Sequence, residues 1–158
     1  MTRELLKSLL EDFVERFETA TEAHKRSVHY QSTLNITRQL LIMYHNKKAE
    51  ENRQLMIQYF QEIEKIQLPI GRLESLNLFE DYLMKTGQFL IYERGFAFVQ
   101  GSNTINIVVG LILDAVLFYF MKDHVPIYVP IVTMVLLIYA KFRKRALIKG
   151  QKCFGLEY

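Results

Sequence analysis

The sequence is poor in the residues that cross-link or interrupt a chain. It contains one cysteine, Cys153, among 158 residues, which excludes a disulfide-stabilised secreted scaffold. It has three prolines and seven glycines, and none of them lies between Met1 and Leu68. Because proline and glycine are the commonest breaks in regular structure, this absence favours long helices in the first part of the chain.

Charge is also scarce in one part of the chain and one-sided in another. Residues 1–102 are almost neutral, whereas residues 103–140 contain only Lys122, Asp114 and Asp123 as charges. Residues 141–158 contain six basic side chains and one acidic side chain, Glu157. The net charge of +3 therefore comes from a basic end and not from a basic domain, so we do not expect nucleic acid as a partner.

The polar first part has the apolar spacing of helices. Three stretches repeat apolar residues every three or four positions, and they include Leu6 to Phe17, Leu34 to Tyr44 and Leu55 to Ile66. A polar break at residues 45–52 separates the last two, and Pro69 and Gly71 end the third. A further helix is predicted from about Glu74 to Lys85, ending at Gly87. We therefore predict an all-α fold that begins with a cytoplasmic helical bundle over residues 1–100.

Residues 89–99 are aromatic, and they leave two alternatives open. They form either a segment that lies at a membrane surface or the last core element of the bundle.

The apolar block predicts a transmembrane hairpin over residues 103–140, with spans 103–121 and 125–140. A buried helical hairpin in a soluble core is the alternative. The basic tail, residues 141–158, orients both termini of a two-pass protein to the cytoplasm. Its cluster of Lys141, Arg143, Lys144 and Arg145 is expected at the anionic inner leaflet, with the lipid bilayer as a partner.

Asp114 is the one charge near the middle of the first predicted span. Helical spacing places Asn103, Asn106, Gly110 and Asp114 close to one face. Such a stripe either lines a pore or holds the two helices together through hydrogen bonds and close packing. Two spans cannot enclose a pathway, so a pore requires a homo-oligomer. Pro130 is predicted to kink the second span, either as a hinge or to accommodate packing.

The chain has no phosphate-binding loop, nucleotide-binding fingerprint, nucleophile elbow or metal-ligand spacing, so neither metal nor cofactor is expected. One spacing carries a resemblance. Arg38 and His45 are seven positions apart on a predicted helix. This resembles the Arg–x(4–6)–His motif of HEPN ribonucleases, although Gln39 follows the arginine where that family prefers Asn, Asp or His.

The architecture also resembles small HEPN-like membrane accessory proteins of RNA-targeting CRISPR systems in prokaryotic defence. That resemblance implies an effect on the envelope rather than on RNA. The predicted function is a homo-oligomeric membrane pore or permeabilising effector controlled by the helical domain. The alternatives are a non-conducting anchored adaptor that docks a cytoplasmic protein partner, and a membrane-tethered HEPN-like ribonuclease. We expect no enzyme activity.

Overall fold

The computed structural model describes residues 2–43, 47–99, 104–121 and 130–155, with only the backbone described for residues 104–106 and 121. Its helices are α1 (Thr2–Glu18), α2 (Glu22–Ser27), α3 (Tyr30–Ile42), α4 (Lys47–Lys65), α5 (Arg72–Leu78), a π-helix (Phe79–Met84), α6 (Lys85–Arg94), α7 (Thr104–Met121) and α8 (Ile131–Lys149). Two short strands, β1 (Ala97–Phe98) and β2 (Cys153–Phe154), complete the elements. The chain divides into a first unit, residues 1–99 with 151–158, and a second unit, residues 100–150.

The first unit is a helical bundle, as the apolar spacing predicts. On α1, the buried side chains Leu6, Leu10, Phe13 and Phe17 repeat every three or four residues and face α4 and α3. Phe17 is completely buried, and burying such a side chain stabilises a fold by about 1.5–3 kcal/mol. The helix α3 lies at the centre of the bundle, because its residues 32–37 are all buried.

The carboxyl end of α3 is held by a buried arginine on α4. Arg53 donates from Nε to the carbonyl of Leu40 at 3.1 Å and from Nη2 to the carbonyl of Met43. Its Nη1 lies 2.7 Å from the carboxylate of Glu50. A cation at the end of a helix satisfies carbonyls that have no partner within the helix, which explains why a charged side chain is buried here.

The helix predicted to stop at Gly87 continues instead to Arg94. Phe154 of β2 lies directly over Gly87, and a Cβ at this position would overlap the phenyl ring. Gly87 therefore provides room for a neighbouring side chain within a helix and does not end it.

Residues 89–99 belong to the bundle. Leu90 and Phe96 are buried, and Ala97 and Phe98 form β1. β1 pairs in parallel with β2, with Ala97 opposite Cys153 and Phe98 opposite Phe154. Of the two alternatives for this segment, the core element is the one that the structure has.

The chain returns to this bundle after the second unit. The hydroxyl of Ser32 donates to the carbonyl of Gly155 and accepts from its N–H, both at 3.0 Å. Asn35 donates to the carbonyl of Cys153 at 2.9 Å. The predicted tail, residues 141–158, thus divides between the second half of α8 and a strand of the first unit.

The second unit consists of α7 packed against α8. Among the residues that the structure describes, no helix is long and apolar enough to cross a membrane. The prediction of a transmembrane hairpin over 103–121 and 125–140 is therefore wrong, and so are the two-pass membrane localisation and the membrane pore or channel. Residues 103 and 122–129 of that prediction lie outside the described part of the chain.

The physical reason is the short apolar length of each helix. In α8 the uncharged run from Ile131 to Ala140 rises only about 15 Å before Lys141 begins a cationic half. In α7, 18 residues rise about 27 Å, and the carboxylate of Asp114 interrupts their apolar length. A hydrocarbon core is about 30 Å thick.

Candidate functional site

Asp114 caps the amino end of the neighbouring helix. Its carboxylate accepts the N–H of Val132 at 2.8 Å, and the N–H and hydroxyl of Thr133 at 2.9 and 2.6 Å. These two residues occupy the second and third positions of α8, whose N–H groups have no partner within the helix. An N-cap side chain usually comes from the residue before the helix, but Pro130 stands there and makes no side-chain hydrogen bond. Asp114 therefore supplies from α7 the cap that α8 lacks.

The carboxylate of Asp114 is held in its charged form. Its burial raises the pKa, but the hydrogen bonds from Thr133 and Val132 lower it by more, so the pKa lies below its ordinary value. The positive end of the α8 dipole favours the same negative charge. The one carboxylate in this pair of helices is thereby satisfied within the pair.

Gly110 lets α7 and α8 approach each other closely beside the cap that Asp114 makes. A Cβ on Gly110 would lie 2.7 Å from both the Cα and the hydroxyl of Thr133. Gly110 and Asp114 are one helical turn apart, and both contact Thr133, which is itself buried. Glycine is the residue that permits such an approach between two backbones.

The structure describes the side-chain positions of two of the four residues in the predicted stripe. Gly110 and Asp114 face α8, which is the packing alternative for this face. Asn106 lies in the first turn of α7, where only the backbone is described, and Asn103 lies outside the described residues. Pro130 is not within a helix: it precedes the first residue of α8, and its carbonyl accepts the N–H of Met134 at 3.1 Å. Its missing N–H is therefore no loss to the helix.

The outer surface of the α7–α8 pair is apolar. Between residues 107 and 120 every residue is exposed except Gly110 and Asp114. The large apolar side chains exposed on α7 are Ile107, Val108, Val109, Leu111, Ile112, Leu113, Val116, Leu117, Phe118, Tyr119 and Phe120. Those on α8 are Ile131, Met134, Val135, Ile138, Tyr139, Phe142 and Ile148. A helix that is apolar around its circumference is normally covered, and an exposed patch of this size marks an interaction site.

The second half of α8 carries the basic cluster, Lys141, Arg143, Lys144 and Arg145, all exposed. No acidic residue occurs anywhere in α8, so the helix itself does not neutralise these charges. The carboxyl end of a helix favours cations, which explains why they stand at this end of α8. Their predicted role at an inner leaflet stays a prediction, and the structure shows an apolar helix with one cationic end.

The resemblance to a ribonuclease motif stays a prediction, because only one of its two residues lies in the described part of the chain. Arg38 lies on α3 and is exposed, whereas His45 lies outside the described part of the chain. Within the described ranges, no group of three or more His, Cys, Asp or Glu side chains could hold a metal ion.

One buried polar cluster was not predicted from the sequence. His29, with a left-handed backbone at φ 48°, is completely buried between α2 and α3. Its Nε2 lies 3.1 Å from the hydroxyl of Ser75 and 3.3 Å from the Ser75 carbonyl. Burial lowers the pKa of His29 to about 4, with the backbone of Ser75 opposing the shift, so the imidazole is neutral at physiological pH.

This histidine and serine are a structural pair. The Ser75 hydroxyl donates to the carbonyl of Ser27 at 2.6 Å, so its proton is not directed at the imidazole. Ser75 is also only 1% exposed, which leaves no approach for a substrate. A positive-φ histidine between two short helices gives no periodic signal, so sequence patterns could not have identified this contact.

Comparison with protein family models, with curated proteins and with solved structures finds no match for this chain.

Proposed function

We propose that this protein is a non-enzymatic self-assembly protein in which the α7–α8 pair joins copies of the chain and the helical bundle is the unit displayed. The observation that carries the proposal is the distribution of polarity in the second unit. Its buried residues include Gly110, Asp114 and Thr133, while the exposed surfaces of both helices are lined by large apolar side chains.

The buried polar groups of this pair, Asp114 and Thr133, are already hydrogen-bonded inside it. The carboxylate of Asp114 is satisfied by Val132 and Thr133, so it offers no pathway for ions and needs no partner from outside. The large apolar side chains of both helices, in contrast, remain about half exposed to water. Removing them from water is the main driving force that protein association uses.

The exposed area is sufficient for an interface between copies. The large exposed apolar side chains of α7 and α8 are about half exposed, so together they present on the order of 1,500 Å², compared with about 800 Å² per partner in a standard interface. A second copy supplies the same apolar surface at the same concentration, which makes self-association the simplest way to cover it. The protein partner expected for the helical bundle stays a prediction.

The test is the mass of the full-length chain by sedimentation velocity over a range of concentrations. We expect a multimer, and we expect Val135→Glu to shift it towards monomer because this side chain is 58% exposed on α8. Leu73→Glu is the matched control, since Leu73 is an exposed apolar residue of α5 in the first unit. A chain that is monomeric at every concentration would contradict the proposal, as would a monomer that floats with neutral lipid vesicles.

A further inference from the structure

We propose that two copies associate through their α8 helices in an antiparallel arrangement, with the two basic clusters at opposite ends of the contact. This inference rests on the proposed self-assembly and names the surface and its orientation. The occupant is a second copy of this chain, and the evidence is the spacing of the apolar residues, the position of the charges and the area.

The apolar residues on the outer face of α8 form a spacing that reads the same in both directions. Steps of three and one residues repeat from the first to the last of them: Ile131, Met134, Val135, Ile138, Tyr139 and Phe142. Each is more than half exposed. These steps keep all six on one side of the helix.

An antiparallel copy therefore matches each apolar residue with another. Ile131 lies opposite Phe142, Met134 opposite Tyr139, and Val135 opposite Ile138. Such a two-fold contact is self-complementary, because residue i of one copy meets residue j of the other and the reverse also holds. The six side chains expose on the order of 600 Å² per copy, close to the roughly 800 Å² per partner of a standard interface.

The charges decide between the two orientations, because the apolar spacing alone also permits a parallel contact. In a parallel pair the basic clusters would lie side by side, separated by about the 8–10 Å between packed helix axes. In the antiparallel pair the contact is centred between residues 136 and 137, so the clusters lie roughly 20 Å apart along the axis. That distance is more than twice the screening length of about 8 Å at physiological ionic strength, whereas the parallel separation is close to one screening length, so the antiparallel pair has much the weaker repulsion.

The antiparallel contact also places each basic cluster around the amino end of its partner's apolar face, since Lys141 lies opposite position 132. Ile131 of one copy comes next to Lys141 and Arg145 of the other. A negative charge introduced at position 131 would therefore meet cations, and a positive charge would be repelled. In a parallel pair, a charge of either sign at position 131 would lie next to the same charge of the other copy and would be repelled.

Cysteine cross-linking distinguishes the orientations. In a Cys153→Ala background, which keeps the Cys153 carbonyl that Asn35 binds, we would introduce Ile131→Cys and Phe142→Cys in separate, differently tagged chains. Co-expressed chains treated with a short bismaleimide should give a cross-linked heterodimer, while either chain alone should give little product. Tyr92→Cys, 89% exposed in the first unit, controls for random collision.

A second measurement uses the charges themselves. By sedimentation, the dimer dissociation constant of Ile131→Glu should be lower than that of Ile131→Lys by about fivefold at low salt, and the difference should shrink at high salt. Efficient cross-linking of each single-cysteine chain with itself, with assembly intact, would establish the parallel orientation and overturn this inference alone. Intact assembly without any cross-link at 131 or 142 would remove α8 as the interface, and a monomeric parent chain would instead overturn the proposed function.

Discussion

The contact between Gly87 and Phe154 allows a substitution to be predicted with opposite signs in two backgrounds. Phe154 is 2% exposed, and its ring lies over Gly87 and next to the rings of Phe98 and Phe79. In the wild-type chain, Gly87→Ala should destabilise the first unit by about 1–3 kcal/mol, because the new methyl group overlaps the phenyl ring in a packed core. Phe154→Ala alone should cost about 3–5 kcal/mol through loss of buried area and the cavity left behind.

In the Phe154→Ala chain, the effect of Gly87→Ala on the free energy of unfolding should change sign. Once the ring is removed, alanine at position 87 meets no obstacle and is the better helix former by about 0.5–1 kcal/mol. Gly87→Ala should therefore stabilise the Phe154→Ala chain. Urea unfolding followed by circular dichroism would give the four free energies of a double-mutant cycle. Tyr92→Ala, at an exposed position of α6, is the control and should change stability by less than about 0.5 kcal/mol. If Gly87→Ala stabilised the wild-type chain, the return of β2 onto α6 would be refuted.

Three further predictions follow from single residues. His29 is buried and neutral, with a pKa of about 4 in the folded chain against 6.5 in the unfolded chain, so the unfolded chain binds more protons between these pH values. The free energy of unfolding should therefore fall by about 3 kcal/mol in total as the pH decreases from about 6.5 to 4. His29→Gln should flatten that pH dependence, measured by urea titrations at several pH values. Arg53→Met should cost about 1–3 kcal/mol, because the carbonyls of Leu40 and Met43 lose their donor, whereas Arg38→Ala on the exposed side of α3 should stay within about 0.5 kcal/mol; equal losses would contradict this. Asp114→Leu should speed hydrogen exchange at the amides of Val132 and Thr133, and Asp114→Asn should do so less because an amide oxygen still accepts; unchanged exchange in both would exclude the cap.

The helical bundle could be predicted from the sequence because its signal is periodic. The buried residues of α1 follow helical spacing, and the proline and glycine at 69 and 71 lie between α4 and α5. The rule that failed was glycine as a helix terminator at position 87. A glycine that makes room for a distant ring has the same one-letter code as a glycine that ends a helix, and only the position of Phe154 separates the two.

The apolar block shows a different limit. Hydropathy measures how apolar a segment is, but it does not show where a helix begins. The helix α8 begins after Pro130 and continues without a break into its cationic half. The 16 uncharged residues 125–140, followed by four closely spaced cations, gave the expected signature of a membrane anchor with a basic tail. The same order of residues also describes an apolar helix with one charged end.

The role of Asp114 was open in the sequence because both alternatives used the same residues. A carboxylate in an apolar helix requires hydrogen-bond donors. The first N–H groups of the next helix are such donors, because they have no partner within that helix and the proline before it cannot supply a side-chain cap. The neighbouring Thr133 adds a hydroxyl at 2.6 Å. With these donors the carboxylate is satisfied between α7 and α8, so Asp114 and Thr133 point inward while large apolar side chains of both helices point outward. This is the reverse of an amphipathic hairpin on the surface of a globular protein, and a pair of helices built in this way gains most when a second apolar surface covers it.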